Sequence, residues 1–310
     1  MAIGTKFVLH ALVSGANTIS EIENCRVNPQ ANIILGTPAG LPFPLNAFNT
    51  RTAPEITFDT GQLITLSGLG GVNGVHYIDL SGGNVDLHFK KTTNLGTRVA
   101  DASAEHQRYR AAMSALSIER ITAGDQTPAR ASCRLVCVYN GSAVPLVATG
   151  SLALVGTPTF AEQYLAGPCS VTYAGPTTTT IAGVQDITLD FGRRIVTQGG
   201  DGEFYPTHSF QAEINPVITI RAPDMGLPIV GVTGLLLTAF NCYLRRSAEI
   251  GPVANGTSSH YKISGTTAIL TIDDASGGNN DDGMTTYRIT PVGANSTTNP
   301  ITITPSTTIV

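Results

Sequence analysis

The groups able to do chemistry in this chain are few and scattered. His10, His76, His88, His106, His208 and His260 form no metal-spaced pair and accompany no nucleophile motif. His76 and His88 read as a cross-strand pair, and His106 as a solvated or packing residue. Cys133 and Cys137 lie on one face of an apparent strand, about 13 Å apart, too far for a disulfide. No second ligand pair follows them, so zinc is not expected. With Cys25, Cys169 and Cys242 they read as buried free thiols, which suits cytoplasmic folding. The glycine-rich run Gly68 to Gly74 lacks the helix and the Lys-Ser/Thr of a phosphate loop and reads as a hairpin turn. Asp273-Asp274 and Asp281-Asp282 miss the alternate spacing and closing Glu of a calcium loop and read as a charged hairpin tip. No catalytic residue, metal or cofactor is expected.

Composition points the same way. Charged residues are 13% and Trp is absent, while hydrophobic content is 42%. Such a chain, rich in Thr, Val, Ile and Gly, reads as sandwich or barrel. The net charge of −4 argues against gripping nucleic acid, which needs a basic surface. A weakly charged exterior is of the kind buried between subunits. Met1 to Gly15 reads as a strand and not a signal peptide, and no apolar run is long enough to span a membrane.

The elements come in two sets. A shift of 162 positions carries Thr18-Ile19 onto Thr180-Ile181, Ile33 onto Ile195, Gly40 onto Gly202, Pro44 onto Pro206 and Phe48 onto Phe210. It also carries Pro54, Ile56 and Thr57 onto Pro216, Ile218 and Thr219. Further on the shift shortens: Lys90-Lys91 matches Arg245-Arg246 at 155, and Arg134 matches Arg288 at 154. This is the pattern of a tandem duplication. It predicts an all-β fold with two related sandwich or barrel domains, 1–155 and 168–310, joined by a linker over 156–167. Alternation predicts strands such as Lys6–Val13, Val75–Leu80, Asn84–Lys90, Ala131–Val138, Leu235–Arg245, Ala268–Asp273 and Thr285–Thr290. Ala102, Tyr109, Ala112, Met113 and Leu116 recur at helical spacing and predict one flanking helix over Asp101–Ser117. Its counterpart holds Gly251, Pro252 and Gly256, which would break such a helix.

Two long loops, Gly36 to Phe48 and Gln198 to Phe210, occupy matching positions and carry prolines and aromatics. Phe43, Pro44, Phe48, Asp201, Glu203, Phe204, Tyr205, Pro206 and Phe210 are the candidate subunit-interface residues. The alternative is that the aromatics cap their own domain's core.

Gly183 to Met225 carries Val-Gln-Asp-Ile-Thr-Leu-Asp-Phe-Gly, then Gly-Asp-Gly-Glu-Phe-Tyr-Pro-Thr, then Asn-Pro-Val-Ile-Thr-Ile. This stretch resembles the core of phage major tail proteins, which build the tail tube, and Ser20 to Leu63 resembles it more faintly. The resemblance implies stacked rings around a genome-passage channel, with inner strands joined into a barrel and the long loop touching the adjacent ring. It also implies that a two-domain chain forms pseudo-sixfold rings of three chains. Partners are then the chain itself and other phage tail proteins. DNA passes without specific binding, and no membrane is involved. The expected location is the virion, after assembly in the host cytoplasm. A weakly negative lumen suits passing DNA, with Asp190, Asp201 and Glu203 as candidates to face it. The competing readings are a non-viral filament or surface-layer protein and, last, a carbohydrate-binding β-protein.

Overall fold

The computed structural model describes the chain apart from residues 1–5, 31–32, 38, 40–41, 50–51, 70–76, 81–82, 94–95, 159–162, 174–176, 201, 224–233, 249–250, 257–259, 279–280, 294–298 and 310. The fold is all-β. The first half runs β1 (Lys6–Ser14), β2 (Asn17–Ile19), β3 (Ile22–Asn28), β4 (Ile33–Gly36), β5 (Asn46–Asn49), β6 (Glu55–Thr60), α1 (Leu63–Gly68), β7 (Tyr77–Asp79), β8 (Val85–Thr92), β9 (His106–Ala111), β10 (Ser114–Gly124), β11 (Arg130–Cys137) and β12 (Leu146–Leu152). The second half runs β13 (Gln163–Tyr173), β14 (Thr177–Ile181), β15 (Asp186–Asp190), β16 (Arg193–Gln198), β17 (His208–Ile214), β18 (Val217–Ala222), β19 (Leu235–Ala248), β20 (Gly251–Pro252), β21 (His260–Gly265), β22 (Ala268–Gly278), β23 (Asp281–Pro291) and β24 (Thr302–Ser306).

Strand alternation sets the layers. In β6, Ile56, Phe58 and Thr60 are buried while Glu55, Thr57 and Asp59 are only half-buried. In β15, Ile187 and Leu189 are buried between Asp186, Thr188 and Asp190. One face of each strand therefore enters the core and the other stays polar. Full burial of each such Ile, Leu or Phe contributes about 1.5–3 kcal/mol.

Pairing repeats between the halves. A sheet of order β12-β9-β8-β1-β2 in the first half has its counterpart in β24-β21-β19-β13-β14. The order β3-β6-β11-β10 likewise matches β15-β18-β23-β22. Registers match too. Arg26 and Val27 lie opposite Thr57 and Ile56, as Thr188 and Leu189 lie opposite Thr219 and Ile218. The irregularity between Ile118 and Arg120 in β10 recurs between Ile272 and Asp274 in β22. The two inner sets fuse because β10 also pairs with β15, giving one long antiparallel sheet, β22-β23-β18-β15-β10-β11-β6-β3. Leu12, Ile19 and Leu87 of the outer layer share one core cluster with Ile56, Leu116, Leu135, Leu189 and Ile218 of the long sheet. Residues 163–167 of the expected linker belong to β13.

The helix expected over Asp101–Ser117 is absent. That segment is a run of turns followed by β9 and the start of β10. Arg108 and Arg110 both reach Asp86 of β8, at 3.6 and 2.6 Å. Side chains two apart share a face in a strand but not in a helix. Tyr109 meets Phe89 edge-on at 5.7 Å. Cross-strand packing on both sides of β9 thus overrides the weak helical periodicity. Among the described residues the helix of the fold is α1, and no helix is long and apolar enough to cross a membrane.

Candidate assembly interface

Both long loops are tips of two-stranded hairpins projecting from the inner layer, β4–β5 and β16–β17. The second hairpin leaves β15 through Gly192, whose φ of +54° suits glycine. A Cβ there would clash with the Asn215 carbonyl. At its base the Arg193 guanidinium stacks on Phe191, 4.6 Å from the ring centroid. Burial lowers the Arg193 pKa to about 10, against the pull of Glu119.

The tip of this hairpin lies on the first half of its own chain. The Thr52 amide donates to the Phe204 carbonyl at 3.1 Å, and the Tyr139 amide to the Pro206 carbonyl at 2.8 Å. Tyr205 packs on Tyr139 at 6.2 Å and on Phe204 at 5.1 Å, and Pro206 is buried. The expected choice was between capping its own domain and docking on a neighbouring molecule. Within one chain the tip joins the two halves. Glu203 is exposed at the turn, closed by its amide on the Gly200 carbonyl at 2.8 Å, and Phe210 is 41% exposed. Asp201 lies outside the described residues.

The first hairpin differs. Ile33, Ile34, Leu35, Phe43 and Leu45 are 45–61% exposed, and Pro44 is exposed. The backbone of Phe48 lies opposite Ile34. Among the described residues, no hydrogen bond ties this hairpin to the rest of the chain. Several exposed large apolar side chains on one hairpin are of the kind that mark an interaction site.

The outer face of the long sheet is polar and carries two troughs. Thr122, Gly124, Asp186, Thr188, Thr219 and Thr286 line a trough of about 370 Å³. A second trough of about 530 Å³ holds Arg120, Asp190, Val217 and Arg288. Four arginines here are matched by carboxylates, Arg120 with Asp190 at 2.7 Å, Arg134 with Glu55 at 2.7 Å, Arg130 with Glu21 at 2.7 Å and Arg288 with Asp273 at 3.8 Å, while Arg221 also lines the first trough. Burial raises the Asp190 carboxyl, but hydrogen bonds from Arg120 and the Gly192 amide outweigh it and hold the pKa below the usual carboxylate value. Being about half exposed, such a pair stabilises the fold by about 1 kcal/mol or less. Its main effect is to leave that arginine without free charge. Among the described residues, no cluster of His, Cys, Asp and Glu could hold a metal ion.

Other sequence expectations resolve as follows. All five cysteines are free, four of them buried and Cys25 intermediate. Asp273-Asp274 lie in β22 and Asp281-Asp282 in β23, flanking a hairpin tip. His76, and Gly70 to Gly74 of the glycine run, lie outside the described residues. His106 is neither helical nor solvated. It is fully buried, and its Nδ1 accepts the Lys91 amide at 3.0 Å. His260 accepts the Arg246 amide in the same way at 3.1 Å. Sequence reading missed this matched pair, although each histidine follows its dibasic pair at nearly equal distance.

Compared with known proteins, the chain matches no family and no curated sequence.

Proposed function

We propose that the chain is a structural subunit of a tail tube. Three copies form a ring of six related half-chains, and rings stack around a channel through which DNA passes. The observation that carries the reading is the long sheet. Strands β3, β6, β11 and β10 of the first half continue into β15, β18, β23 and β22 of the second, with one polar face that carries both troughs. Two matched blocks already joined edge to edge within one chain are two-sixths of a barrel. A closed cyclic arrangement would use the remaining edges and remove the exposed strands that sheets must otherwise protect. The polar face, with Asp190 on it, becomes the lumen. Threonines there, with arginines mostly held by carboxylates, offer phosphates few free cations to grip. Partners are further copies and other tail proteins, in the virion.

Electron microscopy and native mass spectrometry of concentrated protein test the reading. Rings of three chains with a central hole, stacking into tubes, are expected. A chain that stays monomeric at high concentration excludes the proposal.

A further inference from the structure

We infer that the joint between the halves of one chain is the template for a joint between chains, in which β22 of one copy pairs with β3 of the next and the β4–β5 hairpin docks beside it. This rests on the ring reading and adds its register and its anchoring loop.

The internal joint has two parts. In the first, Arg120, Ile121 and Thr122 of β10 lie opposite Asp190, Leu189 and Thr188 of β15. The earlier part of β10, Ala115 to Ser117, is occupied by β7 on that side. In the second, the Phe204–Pro206 tip covers Tyr139.

Each piece has a counterpart that lacks a partner among the described residues. In β22 the early part, Ala268 to Leu270, is occupied by Leu235 to Leu237 of β19. Among the described residues, Asp274 to Ser276 have no strand on that side. β3 pairs with β6 alone among the described residues. The bulge matched between β10 and β22 sets Asp274 equivalent to Arg120. The matched pairing to β6 and β18 sets Asn28 equivalent to Asp190. The register follows: Asp274 opposite Asn28, Ala275 opposite Val27, and Ser276 opposite Arg26. Charge agrees, because Arg26 then lies diagonal to Asp274, within reach of a long side chain.

The hairpin follows the same rule. The Val138 amide bonds the Met113 carbonyl at 3.0 Å, and the Val292 amide bonds the Thr267 carbonyl at 2.9 Å. That equivalence places Gly293 where Tyr139 stands. Phe43 and Pro44 stand where Tyr205 and Pro206 do in the docked hairpin. Burial marks what is uncovered. Val138 is 2% exposed and Val292 44%; Ile121 is 2% exposed, whereas Ala275 is exposed. The partner is therefore a second copy of this chain, head to tail, with the next copy's Pro44 carbonyl accepting the Gly293 amide.

Cross-linking in a Cys25→Ser background tests the register. Asn28→Cys and Asp274→Cys are placed on separate chains, mixed under conditions of assembly and mildly oxidised. Directly opposed residues in an antiparallel pair are close enough for a disulfide. A covalent dimer is expected at least tenfold above that from Asn28→Cys with the off-register Ser276→Cys. Phe43→Asp should prevent assembly while leaving the monomer's melting temperature unchanged. If rings form but the in-register pair gives no excess, or if Phe43→Asp assembles like the parent, this inference falls and the ring reading stands. If no oligomer forms and no pair cross-links, both fall.

Discussion

At the scale of the residue, buried titratable groups report on the core. His88 is fully buried, and neither ring nitrogen has a hydrogen-bond partner. Burial lowers its pKa; Asp86 opposes this, while Arg108, His10 and Arg110 add to it. The unfolded chain therefore binds this proton more readily than the folded one. Stability from this group is complete above the ordinary value near 6.5 and is lost as pH falls from there toward the folded pKa. His88→Leu should flatten the fall in melting temperature below pH 6.5 and change stability at pH 8 by no more than about 1 kcal/mol. A pH profile as steep as the parent's would contradict this. The thiols make a second check. Cys169 faces Cys242 across two strands, both fully buried, and burial pushes up the thiols of Cys133, Cys137 and Cys169. Cys25 is the accessible one, raised to about 11 by partial burial. A thiol reagent should label Cys25 slowly in the native protein and the other four only on unfolding.

At the scale of the element, the β16–β17 hairpin shows how local geometry positions a long-range contact. Gly192 turns the chain out of β15 with positive φ and no room for a Cβ. Gly192→Ala should destabilise the chain by about 1–3 kcal/mol, read by denaturant unfolding. Much of the element level was legible in the sequence. The strands over β1, β8, β11, β19, β22 and β23 follow from alternation and turn residues. β9 was not, because Ala102, Tyr109, Ala112 and Met113 mimic a helical stripe. The deciding contacts, Asp86 with Arg110 and Phe89 with Tyr109, join residues distant in sequence. The candidate interface residues were legible as loops, but their partners Thr52 and Tyr139 were not.

At the scale of the whole molecule, the tube proposal gives the arginine–carboxylate pairs the task of keeping the polar face from gripping DNA. Glu55→Gln with Asp190→Asn frees Arg134 and Arg120 while changing little of the packing. The double variant should bind duplex DNA where the parent does not. If two phosphates are neutralised per chain, affinity should fall by roughly tenfold between about 50 and 200 mM salt. A gel-shift titration checks this, and a double variant as inert as the parent would show that the pairing does not govern the face.

The amino-acid order by itself determined the all-β class, the matched segments and the position of two proline- and aromatic-rich tips. These are written in local alternation and in side-chain type, which act within a few residues. Only the tertiary structure decided which edges meet. Strand pairing is a choice among many similar edges, and the backbone groups that make it carry no sequence label. Packing therefore selected β10 with β15 and placed the second hairpin on the first half; among the described residues it left one edge of β3, Asp274 to Ser276 of β22 and the first hairpin without a partner.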